Sequence, residues 1–458
     1  MKIVYLAAGA ADMYCGSCLH DNTLAAALLD AGEDVLLVPT YTALRTDEKN
    51  VSQRRVLFGG LNVYLQQKLA LFRHTPWLVD RMLDAPSLIG WLAKRSVSVD
   101  AKDLGGLTVS MLHGEEGNQR KEVEKLVHWL AEDVRPDVVH LSNSMLVGMA
   151  REIRRRLNVP VVCSLSGEDI FLEKLPPPYY EQARAALRER AADITAFVSM
   201  NRYFADFMAD YLAIDRQRIR VIPHGLKLAG HGTRRCDPSA AETVIGYFAR
   251  ITPDKGLHHL VEAFRLLSED AQLPPLRLRA AGYLGASDRR YLADIQVKLE
   301  KWGLLDRFEY AGELDRADKI TFLQSLDLMS VPTVYRESKG LSILEAMANA
   351  VPVVLPAHGT FPELIEDTQG GRLHAPEDPR ELARVLKELI LDPGAAAEHG
   401  RLGQEAIRAR YTAPRMAEQT LALYEYVLAE TTTPSERRHE LTTETRSHGE
   451  RVTESKNL

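Results

Sequence analysis

Residues Val331–Glu363 read V-P-T-V-Y-R-E-S-K-G-L-S-I-L-E-A-M-A-N-A-V-P-V-V-L-P-A-H-G-T-F-P-E, and the fold is decided here. A short apolar strand, Leu328–Val331, breaks at Pro332, and a polar loop carries Arg336, Glu337, Ser338 and Lys339. Gly340 opens a helix with Leu341, Leu344 and Met347 at core-facing spacing. A second apolar strand, Val351–Leu355, follows. Strand, glycine loop, helix and strand make a βαβ unit. Its loop lies at the carboxyl end of the first strand, where open α/β sheets bind ligands.

Glu337 precedes the helix and Glu345 lies inside it, with seven residues between them. Free N–H groups near Gly340, Leu341 and Ser342, together with the helix dipole, favour a phosphate at the helix mouth. Carboxylates on each side of that phosphate suit hydroxyl-rich groups, because they accept hydrogen bonds from sugar hydroxyls. Phosphate flanked by two polyols describes a nucleotide-sugar.

The run E-S-K-G-L-S-I-L-E-A-M-A-x-x-x-P-V-V, followed by H-G-T-F-P-E, resembles the donor-site signature of glycosyltransferase family 4. The resemblance implies a GT-B fold, in which two Rossmann-like, doubly wound α/β domains face each other across a cleft. It also implies a retaining transfer from a nucleotide diphosphate sugar, with no cofactor. The acceptor is a glycan, lipid or small molecule that the residues do not identify. There is no D-x-D, the acidic pair by which other glycosyltransferases hold a divalent metal. A metal-independent reaction is therefore expected.

Arg250 and Lys255, five apart in A-R-I-T-P-D-K-G-L, feed a helix that begins at Gly256. In the family the matching arginine and lysine clamp the diphosphate. A guanidinium fork and a point charge on a leaving phosphate suit that role. With Glu337 they form the expected catalytic set. Loops at Gly282 and Gly312 are expected near the nucleotide base.

The first half opens with strand Lys2–Leu6 and a small-residue loop containing Gly16, which in the family faces the donor across the cleft. Cys15 and Cys18 form a C-x-x-C there. They read as small loop residues, with zinc or redox chemistry as the other reading. Regular alternation from residue 118 predicts a parallel sheet of roughly six strands. Val159–Ser164 ends in S-L-S-G-E-D. The family often carries a histidine where this chain has Ser166; Glu168 and Asp169 remain as donor-side or acceptor contacts. The same fold hosts nucleotide-sugar epimerases and non-catalytic sugar-binding relatives, which stand as the other readings.

The organisation expected is a first domain over residues 1–228, with an irregular insertion at about 41–116, and a linker at 229–242. A donor domain over 243–413, a crossover helix at 414–430 and a polar, disordered tail at 431–458 complete it. Within the insertion, Phe58–Leu65 reads as a hairpin strand. Residues 64–95 carry Trp77, Trp91 and a basic amphipathic pattern, which would pack on the domain, shape an acceptor site or touch a membrane surface. The 458 residues are 45% hydrophobic with a net charge of −6, which fits a soluble globular chain and argues against a general nucleic-acid binder. No apolar run is long enough to span a bilayer. Four cysteines imply no disulfide framework, in keeping with a cytoplasmic protein.

Overall fold

The structure is a computed structural model, and it describes residues 1–9, 16–53, 101–232 and 242–431. Cys15, the expected hairpin Phe58–Leu65, residues 64–95, most of the linker and the tail from 432 onward lie outside the described residues.

The first sheet contains β1 (Lys2–Ala7), β2 (Asp34–Pro39), β3 (Val138–Leu141), β4 (Val161–Leu165), β5 (Ala196–Ser199) and β6 (Ile219–Val221). Its order is β2-β1-β3-β4-β5-β6, all parallel. The second contains β7 (Thr243–Phe248), β8 (Leu276–Ala281), β9 (Phe308–Tyr310), β10 (Leu328–Met329), β11 (Val353–Pro356) and β12 (Gly371–His374). Its order is β12-β11-β10-β7-β8-β9, again all parallel. Two Rossmann-like domains of the GT-B kind result.

Parallel strands are covered on both faces, so they are apolar along their whole length. Ile3, Tyr5 and Ala7 of β1 join Val138, Val162 and Val198 on one face. Val4 and Leu6 join Val139, Leu141 and Cys163 on the other. This is the two-residue alternation of a strand. Helix α1 (Gly16–Asp30) and residues 413–431, also helical, cover the first of these faces through Leu24, Leu28, Tyr424 and Val427. The chain therefore returns to its first domain over residues 413–431. Leu226 donates its N–H to Tyr411 O at 2.8 Å, and Ala413 donates to Leu226 O at 3.0 Å, which ties the two crossings together.

In each sheet the strand order reverses once, between β1 and β3 and between β7 and β10. A crevice opens where neighbouring strands send their connections to opposite faces. The loops after β7 and β10 carry Arg250–Lys255 and Val334–Lys339, so this reversal brings together segments 82 residues apart.

Candidate active site

Glu337 is built into the loop after β10. Its Oε2 lies 2.5 Å from Lys255 Nζ and accepts a hydrogen bond from Tyr335 Oη at 3.0 Å. Its Oε1 accepts from the backbone N–H groups of Ser338 and Lys339, both at 3.2 Å. The Lys255 ammonium also sits 4.9 Å above the Tyr335 ring, a cation–π contact. Val334 N–H donates to Asp254 O at 3.0 Å and fixes one loop against the other. Thr360 N–H holds the Glu337 carbonyl at 2.8 Å, so the H-G-T turn supports the loop from behind. Burial alone would raise the carboxyl pKa. Lys255, Tyr335 and the Lys339 N–H outweigh it and bring the group down to about 2. Glu337 is thus a carboxylate at neutral pH, an acceptor of hydrogen bonds rather than an acid.

Gly340 follows at φ +67°, a left-handed conformation natural to glycine, and caps helix α2 (Leu341–Ala348) without a side-chain acceptor. Ile343 and Leu344 donate their N–H groups to Gly340 O at 3.0 and 3.1 Å, which leaves the N–H groups of Leu341 and Ser342, ahead of the helical ladder, as the ones suited to a ligand. Leu341 reaches across the cleft: a Cβ on Gly16 would lie 3.0 Å from Leu341 Cδ1, so a larger residue would press on this contact. Lys339 Nζ also crosses, donating to Ser17 Oγ at 2.5 Å. Arg250, at the end of β7, is exposed and has no acidic partner among the described residues. Gly282 N–H bonds Gly312 O at 2.8 Å, which joins the two loops expected near the base.

From the first domain, Ser166 and Gly167 stand at the end of β4, with Gly167 against the Ser338 side chain. Glu168 is turned inward, its Oε1 accepting from Ser144 N–H and its Oε2 from Ser166 N–H, each at 2.8 Å. It fixes the backbone of Ser144 and Ser166 through one hydrogen bond on each oxygen. Asp169 is different. One of its oxygens is buried without a hydrogen-bond partner, and burial, with Glu168 beside it, lifts its pKa to about 6.

Glu345 is not free either. It is 4% exposed, and its Oε1 lies 2.5 Å from Lys319 Nζ. Lys319, on helix Arg316–Gln324, is also paired with Asp47 of the first domain. Burial raises the Glu345 pKa, and Lys319 opposes that rise.

Several contributors carry no recognisable local signal. Asn201 accepts from Phe204 N–H at 2.8 Å to cap helix Arg202–Leu212, and its Nδ2 donates to Ser338 O at 2.6 Å. Glu363, within the quoted F-P-E, accepts the N–H groups of Arg202 at 2.9 Å and Tyr203 at 2.8 Å, capping a helix of the opposite domain. His20 on α1 and His224 of P-H-G-L-K meet through their Nδ1 atoms at 2.9 Å, both buried. Desolvation pushes His20 down to about 3, so it is neutral. Tyr335 and Lys339 could have been found from their position beside Glu337. Lys319 and Asp47 could not.

Comparison with known proteins agrees with this architecture. A family described as "Glycosyl transferases group 1" matches residues 237–408, and one described as "Glycosyl transferase 4-like domain" matches residues 22–225. The chain is 30% identical over 191 residues to 2-deoxystreptamine glucosyltransferase of Streptomyces kanamyceticus, covering 42% of this chain and 47% of that protein. It is 25% identical over 296 residues to glycogen synthase of Mycobacterium tuberculosis, covering 63% and 69%. The chain thus spans about half to two thirds of the length of these relatives. Sucrose-phosphate synthase of Thermosynechococcus elongatus superposes with a TM-score of 0.69 at 18% identity, covering 94% of this chain and all of that one, a likeness of fold. The chain has the GT-B fold and is related to the glycosyl transferase group 1 and 4-like families.

Proposed function

We propose that the protein is a retaining, family 4 glycosyltransferase that moves a hexose from a nucleotide diphosphate sugar to an acceptor hydroxyl without a divalent metal. The observation that carries this reading is the Lys255–Glu337 pair at the mouth of α2. It sets an ionised carboxylate beside an ammonium, with the first-turn N–H groups of α2 close by. Lys255, Arg250 and those N–H groups take the diphosphate, while Glu337 accepts hydrogen bonds from hydroxyls of the transferred sugar. The bond from the anomeric carbon to the phosphate oxygen breaks. The acceptor oxygen bonds the same carbon from the same face, and its proton passes to the departing phosphate. The glucosyltransferase and glycogen synthase relatives support a hexose as cargo. No helix among the described residues is long and apolar enough to cross a membrane.

A thermal-shift panel of UDP-, GDP- and ADP-sugars identifies the donor, since a ligand at about 100 times its Kd stabilises by roughly 2.7 kcal/mol. With that donor, Arg250→Ala and Lys255→Ala should each lower kcat by about 10²–10³-fold, the loss of one preorganised charge at a leaving group. Activity should persist in EDTA. Near-normal turnover in both variants, or a strict need for Mg²⁺ or Mn²⁺, would remove the cationic clamp.

A further inference from the structure

The segment Arg45–Glu48 of the first domain crosses to the second and closes a buried cluster of charges around Glu345. Asp47 and Glu345 share the ammonium of Lys319, and all three side chains are less than a tenth exposed. Beside them, Glu48 lies 3.2 Å from Lys227 and 3.5 Å from Arg316, and accepts from Thr23 Oγ1 at 3.0 Å. Arg45 pairs with Glu313 at 2.9 Å. Arg316 also donates to the carbonyls of Lys227 at 2.6 Å and Ala229 at 3.0 Å, binding the cluster to the interdomain connection. Asp47, Glu48 and Glu345 are balanced by Lys227, Arg316 and Lys319, so the group is neutral as a whole. That balance lets it remain buried, since an uncompensated charge there would be costly.

This bears on donor recognition. The sequence sets Glu337 and Glu345 on either side of the phosphate site, and with Glu337 given to the transferred sugar, Glu345 is left for the second polyol of a nucleotide-sugar, the ribose. A carboxylate recognises a vicinal diol only if its oxygens are held in place. Its holder here is Lys319, which is itself anchored by a residue of the opposite domain. We propose that Lys319 and Asp47 are positioning residues for ribose recognition, so that the ribose end of the donor site is assembled only when the two domains meet. The inference rests on the donor-site reading above and adds to it a first-domain residue that need not touch the donor.

Asp47→Asn keeps the size of the side chain and removes its charge. A general electrostatic effect of losing a negative charge would strengthen the binding of every polyphosphate. Loss of positioning has the opposite sign for a ligand that carries ribose. Titration calorimetry of the full chain with UDP, GDP, ADP and inorganic pyrophosphate separates the two. For the nucleotide that binds, Asp47→Asn should weaken affinity about tenfold, the scale of one charge-assisted hydrogen bond. Pyrophosphate, which lacks ribose, should bind within twofold of wild type. In turnover assays KM for the donor should rise while kcat stays within about twofold. Lys319→Gln, checked for folding by its melting curve, should act in the same direction. Equal affinity for the nucleotide in wild type and Asp47→Asn, or parallel loss of nucleotide and pyrophosphate, would overturn the inference and leave the proposed function standing. If no nucleotide binds the wild-type chain, both fall together.

Discussion

Replacing Glu337 by Gln keeps the outline of the side chain but removes the charge that faces Lys255. Bringing the carboxyl from 4.5 to about 2 in the folded protein corresponds to about 3 kcal/mol, since a tenfold change in proton affinity is about 1.4 kcal/mol. Breaking a buried pair by removing one member costs about 3–5 kcal/mol, because the other charge is left without a partner. The two routes agree on a loss of about 3 kcal/mol. For a domain of this size that is a fall of roughly 6–12 °C in the melting temperature. The pKa is depressed on folding, so this contribution is fully present above pH 4.5 and is lost as the pH falls toward 2. The gap between wild type and Glu337→Gln should therefore narrow steadily below pH 4.5. Differential scanning calorimetry across that range measures it, and Lys255→Met combined with Glu337→Gln should recover much of the loss. Melting within about 2 °C of wild type at pH 7, or a double variant whose losses simply add, would show that the two groups are not coupled. Turnover adds a second reading. Glu337→Gln frees Lys255 for the diphosphate, so nucleotide affinity should hold while kcat falls.

Ser166→Ala should cost about 1 kcal/mol in kcat/KM, the value of one neutral hydrogen bond. Glu168→Gln should cost more, because one of the two N–H groups at Ser144 and Ser166 then meets an amide NH₂ instead of an oxygen. Steady-state kinetics rank the two, and the reverse order would count against the role given to Glu168. Asp169, lifted from 3.8 to about 6 by burial and by Glu168, binds its proton more tightly when folded. Its contribution to stability is therefore lost as the pH rises through 6. Asp169→Asn should melt higher than wild type at pH 7–8 and converge with it near pH 4. Melting curves that stay parallel across that range would refute the assignment.

Much of this protein is legible in its sequence because the signals are local. A both-sides-buried parallel strand is a short apolar run whatever its neighbours, so I-V-Y-L-A and V-V-L-P mark β1 and β11 directly. A glycine that must open a helix is likewise a local requirement, and Gly340 could be placed from its neighbours alone. Arg250, Lys255 and Glu337 were recognisable in the same way, as charges in loops at strand ends. The structure decided which charges meet. Lys255 reaches Glu337 because β10 lies beside β7, an order of strands that no window of sequence contains. Glu168 reads from sequence as a ligand contact, and the fold adds two backbone amides of its own domain as its partners. Glu345 reads from sequence as a carboxylate for sugar hydroxyls, and only the fold shows that it faces Lys319 and, through it, Asp47 of the opposite domain. Hydrophobic period and turn chemistry act over a few residues and can be read along the chain. A buried charge is settled by whatever the packing of two domains brings within a few ångströms, and that is fixed only when the whole chain has folded.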